Sequence, residues 1–396
     1  MSEKRRDSKN RILRSGESQR KDGRYAYKYT DTFGKPQFIY AWKLVPTDKT
    51  PAGKRDDISL REKEKAIRKD LDDGIDTVGK KMTVCQLYAK QIRHRGNVKH
   101  NTINGRKRLM KLLEQDRLGS CRIDSVKLSD AKEWALRMAE KGIAYSTISN
   151  DKRSLKAAFY TAIQDDCIRK NPFDFKLNTV IEDNTQPKEP LTQAQEKELL
   201  DFVQGDKVYQ KYYDELIILL GTGLRISECC GLTDTDLDFE NRIINVDHQL
   251  LYSSEIGYYI EKPKTESGIR QIPMTESVYR ALQNVLKNRR GTSIIVDGYS
   301  NFLFVGKSGK PKTAVLYNNM LRGLVKKYNK SRKVALPKVT TPHTFRHTFC
   351  TNKANAGMNP KALQYLMGHA NIIMTLNYYA HANFDSAKAE MDRLAA

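Results

Sequence analysis

The residues of this chain best suited to chemistry gather in four short segments of its second half. In Thr341-Pro-His-Thr-Phe-Arg-His347, Thr341 suits a helix N-cap and Pro342 the first helical position. His343 and Arg346 then lie three apart on one face, with His343 in the first turn, where free N–H groups and the helix dipole favour an anion. An imidazole and a guanidinium side by side there make a phosphate cradle, or else an ordinary solvated face. Gly221-Thr-Gly-Leu-Arg225-Ile-Ser-Glu228 sets an arginine just beyond two glycines, able to lie against a ligand or in a surface pair. Lys262, Lys264 and Arg270 flank a turn at 265–268, a place where lysines are usually solvated. Finally, Asn359-Pro360 opens a helix with an apolar face (Ala362, Leu363, Leu366, Met367) that Gly368 ends. His369 follows at once, and Tyr378 and Tyr379 come nine and ten residues after it. A tyrosine pair in helical territory is most often core.

The elements around these segments are legible from periodicity. Leu191-Thr192 with Gln195 opens a helix, and a second runs over 213–220 to Gly221. Residues 242–246 and 257–263 read as strands, and the turn at 265–268 joins the latter to 269–273 as a hairpin. The remainder of this part is mainly helical. Upstream, 182–190 is a polar, proline-bearing linker, and from Thr83 to about Lys170 apolar residues recur at helical spacing, as in Leu155, Ala158, Phe159 and Ala162. Before that, tyrosines 25, 27 and 29 share one face of a strand, with Arg24, Ala26 and Lys28 on the other; residues 37–45 form the returning strand, and Ser59 with Glu62 caps a charged helix. Residues 1–14 read as a mobile basic arm. The tail after Tyr379 carries Ala387, Met391 and Leu394 at helical spacing, a narrow apolar stripe that needs a surface to pack on.

Composition narrows the classes. The 396 residues include 70 Lys plus Arg against 47 Asp plus Glu, a net charge of +23, so a polyanion is the expected partner. By segment the charge is about +7 over 1–80, about +11 over 81–180 and about +5 over the rest, so the middle is the most basic per unit length. Twenty tyrosines, 12 phenylalanines and 2 tryptophans argue against a disordered chain. No apolar run approaches the roughly 20 residues of a spanning helix, and the start, Met-Ser-Glu-Lys-Arg-Arg, does not read as a secretory signal. The six scattered cysteines read as reduced, buried thiols, neither a disulfide frame nor a zinc site.

Taken together and in order, Gly-Leu-Arg-Ile-Ser-Glu, a hairpin lysine, His-Thr-Phe-Arg-His, Met-Gly-His and Tyr-Tyr-Ala-His, between residues 223 and 381, resemble the catalytic domain of the tyrosine recombinases, the phage-type integrases. The resemblance implies a site-specific DNA recombinase that cleaves and rejoins DNA through a covalent 3′-phosphotyrosine, integrating and excising a mobile element. Position by position it puts the catalytic set on Arg225, Lys264, His343, Arg346, His369 and Tyr379. Tyr379 is the nucleophile because Tyr-Ala-His follows the family's Tyr-x-His pattern; Tyr378 and, for the hairpin, Lys262 are the alternatives. The helical region resembles the family's core-site DNA-binding domain. The first 75 or so residues look like the arm-site domain of conjugative-transposon integrases, with DNA contacts expected from Lys21, Arg24, Lys28 and Tyr40.

The implied architecture is a multidomain α+β chain: an arm-site domain (1–80) of a small sheet plus helix, an all-helical core-site domain (81–180), and a mixed, mainly helical catalytic domain with a β-hairpin and C-terminal helix (181–396). A phosphotyrosine keeps the energy of the broken phosphodiester, so neither ATP nor a metal or other cofactor is expected, and the sequence carries no GxxxxGK[ST] loop. Implied partners are double-stranded DNA with arm-type and core-type sites, further copies of the chain in a synaptic tetramer, and an excisionase-type DNA-bending protein. The implied location is the bacterial cytoplasm, on DNA.

Overall fold

The structure, a computed structural model, describes residues 4–32, 34–76, 79–96, 98–185, 189–263, 265–289, 291–292, 294–332, 334–379 and 391. Lys264 therefore lies outside the described residues, as does the tail stripe apart from Met391, which is helical and exposed. The chain divides into two compact units, Met1–Gln186 and Pro187–Ala396.

The first unit opens with an antiparallel sheet of β1 (Glu17–Gln19), β2 (Tyr25–Thr30) and β3 (Pro36–Ala41), followed by α1 (Leu60–Asp72). Period two sorts β2 as expected: Tyr25, Tyr27 and Tyr29 are buried with Leu44, Leu60 and Ile67, while Lys28 is exposed. Glu62 reaches back to the Ser59 amide at 3.0 Å, closing the start of α1. The basic arm differs from the expectation. Arg6 bridges Ile12 across a turn with Asn10 at φ 62°, and the Asp7 carboxylate accepts from the amides of Lys9 (3.0 Å) and Arg11 (2.8 Å). Arg11 donates on to Asp48 at 2.8 Å. The ordering comes from an acid 37 residues away, which local composition does not reveal.

Among the described residues, five α-helices follow in this unit: α2 (Val84–His94), α3 (His100–Glu114), α4 (Arg117–Ser120), α5 (Leu128–Glu140) and α6 (Tyr145–Gln164). They enclose a separate core around Trp134, Phe159 and Phe173, with Phe173 edge-on to Trp134 at 5.8 Å. Thr83 accepts from the Gln86 amide and starts α2 where the periodicity changes.

The second unit runs α7 (Gln193–Gly205), α8 (Tyr213–Thr222), α9 (Ile226–Gly231), β4 (Leu237–Asp238), β5 (Ile243–Val246), β6 (Gln249–Ser253), β7 (Gly257–Glu261), β8 (Arg270–Pro273), α10 (Glu276–Asn288), α11 (Ala314–Ser331), α12 (Pro342–Asn355), α13 (Pro360–Met367) and the short α14 (Ile373–Leu376). The main apolar core is shared by α7–α11, Phe345 of α12 and the sheet residues Ile244, Val246 and Ile272, and a smaller one lies around Phe349, Cys350 and Leu363. The pairing corrects one expectation. β7 pairs with β6, and that is the hairpin; β8 pairs instead with β5, giving a sheet ordered β4-β5-β8. The turn at 265–268 therefore links two sheets. Alternation along β8 puts Arg270 inside with Ile272, where a charged partner awaits it. No helix among the described residues is long and apolar enough to cross a membrane.

Candidate active site

The site is built on the end of α13. Gly368 caps this helix in the left-handed conformation (φ 59°), which glycine adopts without strain, and a Cβ there would crowd Ser267 O (3.0 Å) and an Arg270 nitrogen (3.2 Å). Three consecutive carbonyls at this end each accept from a different arginine. Leu366 O takes Arg270 Nε at 2.6 Å, Met367 O takes Arg346 Nη2, and Gly368 O takes Arg225 Nη2 at 3.1 Å. The negative end of the helix dipole thus gathers three guanidinium groups.

Each arginine arrives on its own element. Arg225 is the N-cap residue of α9, with its amide on Glu228 Oε2 (2.8 Å) and its Nη1 on Oε1 (2.6 Å). Arg346 stands in α12 behind the Thr341 cap and Pro342, buried to 3 %, and donates through Nη1 to Gly223 O at 2.7 Å. Gly223 is the left-handed cap of α8, set against the Phe349 ring. Arg270, also 3 % exposed, closes on both oxygens of Glu228 and on Gly268 O.

Electrostatics follow from this arrangement: three guanidinium groups stand around one carboxylate, Glu228, which Arg225 and Arg270 bond directly, so positive charge is in excess here. Burial works against the Glu228 charge, but the Arg270 hydrogen bonds and the surrounding arginines outweigh it and hold the carboxyl at about 2. Burial, then the charge of Arg225, lowers Arg346 to about 9, which still leaves it charged at neutral pH. His369 is buried beside them with Nδ1 on Thr375 Oγ1 at 2.9 Å; burial and the charges of Arg346, Arg225, Arg270 and His343 push it down to about 4, so it is neutral. His343 itself is exposed, one turn before His347.

Arg225, Arg346 and His369 are thus brought together, with His343 near enough for its charge to weigh on His369. Tyr379 is close in the fold but turned elsewhere. Its hydroxyl donates to Met358 O at 2.5 Å, and its ring packs with that of Tyr378 on Phe349, Cys350, Ala354, Leu363 and Met367. Burial raises both tyrosine pKa values. Lys262 is exposed just beyond β7. Sequence reasoning missed Glu228 and Arg270 as parts of the site; the available signal was the strand alternation that pairs Arg270 with Ile272.

One cluster among the described residues has metal-ligand types, Asp236, Asp247 and His248. Both His248 ring nitrogens face acceptors, Asp247 Oδ1 (2.6 Å) and Gly231 O (2.8 Å). The ring therefore serves as a strut between the end of α9 and the β5–β6 connection.

In the first unit, Arg24, Lys28 and Tyr40 share the outer face of the small sheet, since Tyr40 lies opposite Ala26 and Phe38 opposite Lys28. The face carries more than expected: Arg20 and Arg24 lie over the Tyr40 ring (5.3 and 5.6 Å), Arg24 and Lys54 over Trp42 (5.5 and 5.2 Å), and Lys28 over Phe38 (6.0 Å). Lys21 is exposed in the β1–β2 turn beside them.

Both units of the chain resemble known proteins. Residues 189–386 match the phage integrase family, and residues 1–71 match the DNA-binding domain of Tn916 integrase. The transposases from transposon Tn916 of Enterococcus faecalis and from transposon Tn1545 of Streptococcus pneumoniae are each 66 % identical over 395 residues, spanning all of this chain and 97 % of theirs. A solved structure of the Tn1549 transposon integrase (residues 82–397, R225K) with circular intermediate DNA is 73 % identical, covers 79 % of this chain and 99 % of its own, and superposes with a TM-score of 0.76. Another, carrying Y379F and bound to transposon right end DNA, also reaches 0.76, over 80 % of this chain and 100 % of its own. The lambda integrase dimer on a core site, 14 % identical with a TM-score of 0.53 over 93 % of this chain and 95 % of its own, shares the fold. The chain belongs to the phage integrase family. It is a tyrosine-type site-specific recombinase, and its function is the integration and excision of a conjugative transposon.

Proposed function

We propose that the arginine cluster on the end of α13 holds the scissile phosphate of DNA and that Tyr379 attacks it. The observation that carries this reading is the three guanidinium groups on consecutive carbonyls with a single carboxylate among them. Arg225 and Arg346 each offer a fork to the non-bridging oxygens, where charge grows as the phosphorane forms. The Tyr379 oxygen bonds to phosphorus, its proton passes to His343, and the 5′ oxygen departs with a proton from Lys264 on the segment between β7 and β8. Neutral His369, fixed by Thr375, donates a hydrogen bond to the phosphate. The product is a 3′-phosphotyrosine and a free 5′ hydroxyl, and reversal on a second duplex completes strand transfer. Tyr379 must first leave the Met358 carbonyl. In support, solved Tn1549 integrases include forms carrying R225K and Y379F, in that protein's own count.

Residues 1–80 would read arm-type sites through Lys21, Arg24, Lys28 and Tyr40, residues 81–180 would clasp core-type sites, and 181–396 would cut. Four copies would synapse two duplexes in the bacterial cytoplasm, with an excisionase-type DNA-bending partner setting direction. Trapping the covalent complex on a nicked suicide duplex and mapping the attached peptide tests the central step. A peptide bearing DNA on Tyr379 is expected; DNA on Tyr378, or no adduct, overturns it.

A further inference from the structure

We propose that Tyr378 is a positioning residue for cleavage: its hydroxyl, held by His347, pins the segment carrying Tyr379 to the helix carrying Arg346. This rests on Tyr379 being the nucleophile. The Tyr378 hydroxyl lies 3.0 Å from His347 Nδ1, and the two rings meet at 4.8 Å with planes 57° apart. His347 directly follows Arg346 in α12. The contact therefore joins the residue before the nucleophile to the residue after a phosphate ligand.

The segment needs such a pin. α14 spans four residues, too short to hold its own place, so side-chain anchors set its position. Three are visible: Thr375 on His369, Tyr378 on His347, and Tyr379 on Met358. The last must break before attack, because it occupies the attacking oxygen. The first lies a full turn upstream. Tyr378 is the anchor next to the nucleophile that can persist while the Tyr379 ring swings. Backbone bonds from Tyr378 N to Thr375 O (3.0 Å) and from Tyr379 N to Leu376 O (2.9 Å) make the segment one stiff turn, so the pin fixes where the Tyr379 Cα stands. If the ring alone mattered, phenylalanine would serve as well.

The test uses the full-length chain and a nicked suicide duplex of the element's own end. Adduct formation is read in single turnover at saturating protein, and affinity is read on the intact half-site. Tyr378→Phe is expected to slow adduct formation roughly tenfold, with half-site affinity within about twofold. His347→Leu should lose a similar factor, and the double variant little more, since both remove one contact. His347→Asn keeps an acceptor for the hydroxyl and should recover most of the rate. The Tyr378→Phe defect should persist on a 5′-bridging phosphorothiolate, whose leaving sulfur needs no proton. An unchanged or faster rate in Tyr378→Phe, multiplicative losses in the double variant, or a matching loss of affinity would each overturn the proposal while leaving Tyr379 as nucleophile. An adduct that survives Tyr379→Phe but vanishes in Tyr378→Phe would instead overturn the nucleophile assignment, and this inference with it.

Discussion

Arg270 and Glu228 meet fork to fork, Nη2 at 2.9 Å from Oε2 and Nη1 at 3.2 Å from Oε1, with both side chains almost wholly buried. The same guanidinium reaches Leu366 O and Gly268 O, so one side chain ties α9, α13 and the root of the loop carrying Lys264. Arg270→Met would leave the buried Glu228 with Arg225 as its remaining ion-pair partner and should cost about 3 kcal/mol, the lower end for breaking a buried pair. Thermal unfolding of the full chain should show the melting temperature of the second unit fall by roughly 10 °C. The sign with pH is fixed too. Because the folded Glu228 sits at about 2 against 4.5, its contribution is complete above about 4.5 and is lost as pH falls towards 2. Glu228→Gln should flatten that part of the acid limb, and an unaltered limb would contradict it.

Arg225→Lys keeps the charge but loses the fork. Cleavage of a suicide duplex should slow by about two orders of magnitude, with half-site affinity little changed. A near-normal rate would mean that Arg225 only attracts DNA.

His369 is held at about 4 against an ordinary 6.5 by burial and the neighbouring arginines. Its folded value is lowered, so the unfolded chain binds the extra proton between the two, and the fold loses stability as pH falls from about 6.5 towards 4. A bound phosphate should offset the arginine charges and raise the value. An imidazole resonance titrating at higher pH in the DNA complex than in the free protein is expected, and no movement would place the phosphate elsewhere.

If Lys264 protonates the leaving oxygen, Lys264→Ala should cut normal DNA about a hundredfold more slowly or worse, the lower limit for losing a general acid. It should regain most of that rate on a 5′-bridging phosphorothiolate. Rescue of Lys262→Ala instead would move the acid two residues.

On the small sheet, Arg24→Ala with Lys28→Ala should weaken binding to arm-type DNA and reduce the salt dependence of affinity by about one phosphate contact per residue removed. Equal losses on arm-type and random duplexes would show that the face attracts without reading.

Local chemistry made much of this legible. Thr341-Pro342 and Asn359-Pro360 open α12 and α13 where the N-cap and N1 preferences put them, Gly368 closes α13, and the three tyrosines of β2 fall inside. What stayed hidden depended on partners distant in sequence. Arg270 reads as a turn-flanking cation until Glu228, 42 residues earlier, is folded against it, and that pairing goes with β8 lying on β5 instead of β7. Residues 4–14 read as an arm until Asp48 takes Arg11. Tyr378 reads as core until His347 gives its hydroxyl a partner.

The end of α13 also bears on how this enzyme can drift. Its grip on the three arginines is made with main-chain oxygens, which every residue type supplies alike. Leu366 and Met367 are therefore free to be exchanged for other side chains of similar size and greasiness without disturbing the arginine cluster. Gly368 alone at this corner is fixed by geometry. A library randomised at 366–368 should return active clones with a range of apolar residues at the first two positions and glycine strongly preferred at the third.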